Sequence, residues 1–135
     1  MEVAAHMTVA DLCLLGMVLL IILSVVPGKL DGRREYDNAN PRDPAFYTPG
    51  LRARSLGAHL NGYEALPFFV AAVLLAEMRG AAQGTLNVLA VAFLLARVIY
   101  VACYLGNRPS WRSAIWALAF ACNLAIFFLP AFAGR

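Results

Sequence analysis

Four apolar stretches, residues 7–26, 56–78, 86–105 and 114–132, take up most of this 135-residue chain. Each holds about the 20 residues that a helix needs to cross a hydrocarbon core. With 61% apolar and 14% charged residues, the composition departs from that of an ordinary water-soluble domain in the same direction. The pattern predicts an all-α integral membrane four-helix bundle forming one domain over residues 1–135. Only one sizeable connection remains, residues 27–55, rich in Pro, Gly, Asn and charge. No internal repeat or low-complexity tract interrupts this plan.

The first stretch reads as a retained helix and not a cleaved leader. It lacks a basic segment before it, carries Asp11, and ends at Pro27-Gly28-Lys29 without a small-residue cleavage pattern. Orientation follows from the basic residues. Lys29, Arg33, Arg34, Arg42, Arg52 and Arg54 lie in or beside the first connection, and Arg108 and Arg112 lie in the third. The positive-inside bias places both connections in the cytoplasm and both termini outside. The net charge of +3 then reflects topology, and no nucleic-acid partner is expected. Cys13, Cys103 and Cys122 fall in three different spans without ligand spacing, and His6 and His59 stand apart, so no metal site is expected.

Charge inside the spans is the feature that points to chemistry. Glu64 lies eight residues into the second span and Arg97 eight residues before the end of the third, so each sits about 12 Å from the same surface. A charge at the centre of an isolated helix costs about 3 kcal/mol on insertion scales, so the two are expected to face inward and pair. Asn61 lies one turn before Glu64, and Arg97, Tyr100 and Tyr104 form one stripe leading to the surface that carries Arg112 and Ser113. Arg112 and Ser113 are expected to open the fourth helix, with Ser113 as its cap. Pro67 removes an amide just past the polar turn and predicts a kink in the second helix.

Spacing alone leaves two readings open. Asn, Glu and Arg within a bundle also serve as glue between helices, and aromatic stripes serve packing. Glu77 and Arg79 read as interfacial charges. Asp11, near the start of the first helix, favours its positive dipole end. The basic connection is most simply a determinant of topology, with binding of anionic lipid as a lesser reading.

Arg54, then Ala58-His59-Leu60-Asn61-Gly62-Tyr63-Glu64-Ala65-Leu66-Pro67-Phe68-Phe69, then Arg97 with Tyr100 and Tyr104-Leu105-Gly106, and finally Arg112-Ser113, resemble the MAPEG superfamily. These are the membrane-associated proteins in eicosanoid and glutathione metabolism. The resemblance covers residues 45–132 and is greatest to the small bacterial branch, which implies a bacterial inner membrane. It implies a homotrimer of four-helix bundles with glutathione as co-substrate, held between subunits near the cytoplasmic face. By the match, Glu64 would hold the glutathione amino group. Arg54, Asn61 and Arg97 would hold its backbone or carboxylates, and Tyr100 and Tyr104 would contact it. Arg112 would be catalytic, because a nearby guanidinium lowers a thiol's pKa and raises its thiolate fraction. A hydrophobic small molecule, the electrophile, would arrive from the lipid bilayer.

Two positions depart from the resemblance. Gly57 stands where the glutathione-using members carry a further Arg, and Leu60 where the prostaglandin-synthase-like branch has one. Arg52 and Arg54 are the guanidinium groups nearest in sequence that would replace the missing carboxylate clamp. Three function classes follow. The first is a glutathione or other thiol transferase or peroxidase acting on hydrophobic electrophiles. The second is a non-catalytic protein of the same fold that binds lipid or a partner, and the third, least favoured, is a small proton-coupled multidrug exporter.

Overall fold

The computed structural model describes residues 6–133, all of whose regular elements are helical. Helix α1 spans Val9–Ser24 and the short α2 spans Val26–Asp31; α3 spans Leu51–Met78, α4 Gln83–Leu105 and α5 Pro109–Phe128, which ends in a 3₁₀ turn, Leu129–Phe132. Counting α1 with α2, four of these units are long and apolar enough to cross a membrane. Their outer surfaces agree: Leu12, Leu15, Leu19, Ile22 and Leu23 of α1 are all about half exposed, a face that only lipid or another apolar surface can cover. The protein is an integral multi-pass membrane protein.

Small residues let the helices approach closely. Ala10, Cys13, Met17 and Ile21 form one buried stripe of α1, facing Ala72, Val73 and Ala76 of α3 and Leu86, Ala90 and Phe93 of α4. At its centre Phe69 and Phe93 stack with ring centroids 4.0 Å apart. A Cβ on Gly62 would lie 2.6 Å from Ile21 Cγ1, so this glycine seats α1 on α3.

Helix α1 begins at a residue that answers its free amides, and α2 and α5 begin with Pro in the first turn, which forgoes one. Thr8 caps α1 through a reciprocal pair with Asp11: Asp11 N–H donates to Thr8 Oγ1 at 3.0 Å and Thr8 N–H to Asp11 Oδ2 at 2.9 Å. Asp11 therefore has the structural role expected of it. Glu77 does more than sit at an interface, accepting from Thr8 Oγ1 at 2.9 Å and tying the end of α3 to the start of α1. Between α1 and α2, Pro27 cannot donate, and Ser55 of α3 mends the break. Its Oγ donates to Ser24 O at 2.6 Å and accepts from Gly28 N–H at 3.0 Å.

Three helices begin earlier than hydropathy predicts. Helix α3 starts at Leu51, directly after Pro49-Gly50, with Gly50 at φ 116°. Helix α5 starts with Pro109 at its first position, after Asn107 turns the chain at φ 56°. Ser113 is therefore inside α5 and does not cap it. Helix α4 likewise begins at Gln83. The hydrocarbon core sets how long an apolar run must be, but a helix continues past it while its amides find partners. Helix α3 also continues without interruption through Pro67.

Arg52 makes most of the side-chain contacts that hold down the 32–50 segment, with Lys29 over the Tyr36 ring as another. Arg52, on the first turn of α3, donates to Asp31 Oδ2 at 3.2 Å and Glu35 Oε2 at 2.8 Å, and lies 4.9 Å over the ring of buried Phe46. Asx turns at Asp37 and Asp43 shape the rest.

Candidate functional site

Helices α3, α4 and the first half of α5 converge around the polar residues. Arg97 is 1% exposed, and its Nη2 donates to Asn61 Oδ1 at 2.8 Å. Asn61 Nδ2 in turn donates to Glu64 Oε2 over a long 3.4 Å. The expected ion pair between Glu64 and Arg97 is corrected here, since among the described residues no such pair forms. Both groups do share one level, but the rotation of α3 points Asn61 at the guanidinium and leaves Glu64 exposed.

From Arg97 a column of two rings between two cations runs to the end of the bundle. The Arg97 guanidinium lies 4.1 Å from the centre of the Tyr100 ring, Tyr100 meets Tyr104 edge to face at 5.8 Å, and the Arg112 guanidinium lies 4.5 Å over Tyr104. This arrangement explains how a cation is tolerated there: ring faces and the Asn61 carbonyl replace part of the hydration that burial removes.

Two adjoining cavities border the column. One, of about 430 Å³, is lined by Asn61, Glu64, Tyr100, Tyr104 and Arg112, together with Gly57, Leu60, Ser113 and Trp116. The other, of about 190 Å³, lies deeper and is lined by Arg97 and Asn123 together with four aromatic side chains. Asn61, Glu64 and Trp116 border both. Of the seven residues singled out from the sequence, five line the larger cavity, and Arg97 reaches it through Asn61. Arg54 lines neither, because its Nε donates to Leu105 O at 3.1 Å, answering a free carbonyl at the end of α4.

The departures at positions 57 and 60 now have a geometry. A Cβ on Gly57 would collide with the Tyr104 hydroxyl, so the space of a side chain there is already filled by tyrosine. Arg52 does not stand in for the missing guanidinium, being occupied by Asp31 and Glu35. His59 turns away from the site, its Nδ1 lying 2.6 Å from Ile21 O, where it can only donate.

Asn123 escaped the sequence reading. It is 2% exposed, faces the deeper cavity, and lies three turns beyond Arg112 on the same side of α5. That spacing of eleven residues from an already suspected arginine is the signal that would have found it.

A helical membrane bundle with a buried guanidinium, a tyrosine stripe and a cavity opening at one end defines the class of protein. The chain belongs to the MAPEG family, whose family model matches residues 9–132. No curated protein and no solved structure gives a significant match.

Proposed function

We propose that this protein is a membrane thiol transferase or peroxidase, using glutathione or a similar low-molecular-weight thiol against hydrophobic electrophiles. The observation that carries the reading is the larger cavity, where one exposed carboxylate, Glu64, faces a guanidinium, Arg112, across two tyrosines. Its volume of about 430 Å³ falls in the range of small-molecule sites, about 300–1,000 Å³. A zwitterionic thiol peptide complements that polarity: its ammonium suits Glu64, and its thiol suits the Arg112 end. Helices α3, α4 and α5 belong to one chain, and Glu64 has only a long contact with Asn61, so the carboxylate is left for a ligand or a neighbouring subunit. A homotrimer would supply that neighbour. By the positive-inside bias, the basic residues at this end of the bundle favour a cytoplasmic cavity mouth, and the resemblance to the small bacterial branch favours a bacterial inner membrane.

The chemistry asked of the chain is modest. Arg112 would stabilise the thiolate as the S–H proton leaves, Glu64 and Asn61 would hold the peptide, and the electrophile would enter from the bilayer. Calorimetric titration of glutathione into the detergent-purified protein tests this, with Glu64→Gln as control. Saturable binding that the substitution abolishes is expected. No heat up to millimolar glutathione would overturn the glutathione reading.

A second reading has its own observation. A cleft of about 620 Å³ between α1, α2, α3 and the 32–50 segment sets Lys29 and Arg42 above Ile22, Val25 and Leu56. Cations over an apolar cleft suit an anionic lipid, which would make the protein a lipid-binding member of the fold. Native mass spectrometry would then retain anionic phospholipid on the wild type and lose it on Lys29→Ala/Arg42→Ala.

A further inference from the structure

The deeper cavity contains two polar atoms that the bundle leaves unanswered. Arg97 Nε and Asn123 Oδ1 are buried, and among the described residues neither has a hydrogen-bond partner. Both residues line the cavity, and they are 1% and 2% exposed. One atom is a donor that has lost water and the other an acceptor that has lost water, so each carries an uncompensated desolvation cost. Native proteins leave only a few such atoms per 100 residues, and here two border a single space.

Apart from Asn61 and Glu64, which that space shares with the larger cavity, the rest of its lining is apolar. Phe68, Phe93, Trp116 and Phe120 line it. Trp116 and Phe120 are 43% and 41% exposed, so they form the side through which a molecule dissolved in the bilayer would enter. An apolar cavity of about 150 Å³ is enough to hold benzene. The volume of about 190 Å³ therefore accommodates one aromatic ring and a small substituent.

We propose that this cavity binds a small apolar molecule carrying one hydroxyl group, of the size and chemistry of a phenol. A hydroxyl is the smallest organic group that both accepts, as Arg97 Nε requires, and donates, as Asn123 Oδ1 requires. A carboxylate has no proton for Asn123 and would be repelled by Glu64, which borders the same cavity. An ammonium has no acceptor for Arg97 and would be repelled by it. The four aromatic side chains then enclose the ring, for which water is no substitute. Because Arg97 uses Nη2 for Asn61 and would use Nε for the hydroxyl, the ligand would brace the guanidinium that reaches the thiol site through Asn61. The proposal does not require the thiol and stands or falls independently of it.

The test uses the full-length protein in detergent with Trp111→Phe, which leaves Trp116 as the sole tryptophan. Phenol and toluene are titrated at matched mole fractions in the micelle, with Trp116 fluorescence as the readout. Saturable quenching by phenol, at least about 10-fold tighter than by toluene, is expected, which corresponds to about 1.4 kcal/mol for the hydroxyl. Asn123→Leu should remove most of that preference while leaving toluene binding intact. Equal binding of the two, or no saturation by either, would overturn the proposal and leave the two polar atoms to water. A preference unchanged in Asn123→Leu would also overturn it. Should that variant fail to fold, the phenol and toluene comparison on the Trp111→Phe protein alone decides the question.

Discussion

The Tyr104 hydroxyl fills the space that a side chain at Gly57 would occupy, so α4 supplies to the cavity wall what α3 leaves out. Tyr104 has little freedom to move aside, because it is packed against Tyr100 and lies under Arg112. Gly57→Ala should therefore displace the ring. Alanine in a helix interior gains about 0.5–1 kcal/mol over glycine, whereas overpacking costs about 1–3 kcal/mol, so a net loss of stability is expected. In a Tyr104→Ala background the obstacle is gone, and the same substitution should become neutral or stabilising. Thermal unfolding of the four proteins in detergent measures both steps, and equal effects of Gly57→Ala in the two backgrounds would refute the relationship.

Asn61, and not Glu64, is the contact that Arg97 makes on α3. Removing it leaves a buried cation with one hydrogen bond fewer, which costs about 1.5–3 kcal/mol. Asn61→Ala is expected to destabilise the protein by that amount, and Glu64→Gln by much less, since Glu64 is exposed. A double-mutant cycle with Arg97→Met should show coupling of about 0.5–3 kcal/mol for Asn61 and near-additivity for Glu64. The reverse pattern would restore the direct ion pair.

The difference between those two residues marks where sequence stops being informative. Depth along a helix is legible, because rise per residue is constant, and it correctly put Glu64 at the level of Arg97, with Asn61 one turn away. Azimuth is not, because the rotation of α3 against α4 is set by packing such as Phe69 on Phe93 and Ile21 on Gly62. Four spans were legible for the same reason that their ends were not. Hydropathy registers the hydrocarbon core, whereas Leu51 and Pro109 begin their helices at turns set by Pro49-Gly50 and Asn107. Asn123 was missed because one amide in an apolar helix is unremarkable until its carbonyl is found without a donor.

Glu35 and Arg52 make the attachment of the 32–50 segment dependent on pH. The Arg52 hydrogen bond, aided by its charge, holds the Glu35 carboxyl below the ordinary carboxylate range. A depressed folded-state pKa stabilises the attached form above the unfolded pKa, and that contribution is lost as pH falls through the folded value. Backbone amides of residues 33–49 should therefore exchange faster below the ordinary carboxylate range once intrinsic exchange rates are corrected for. Glu35→Gln should exchange fast already at neutral pH and show a weaker dependence. Exchange in the wild type that is independent of pH after correction would contradict the role given to this pair.

Arg112 and Glu64 border one cavity from different helices, and if the thiol reading holds they should separate in kinetics. Glu64 contributes a charge to the resting complex, so Glu64→Gln should raise the thiol KM. Arg112 acts on charge that develops at sulfur, so Arg112→Ala should lower kcat by about 10- to 100-fold with little change in thiol binding. Its stacking on Tyr104 complicates a simple truncation, because losing the guanidinium also frees the ring. Arg112→Lys answers this: it keeps the positive charge while giving up the planar contact. If charge is what matters, Lys should recover a large part of kcat, and the pH profile of turnover should shift to higher pH in Arg112→Ala as the thiol becomes less acidic. An unshifted profile together with wild-type turnover in Arg112→Ala would remove Arg112 from the chemistry and leave it as packing for Tyr104.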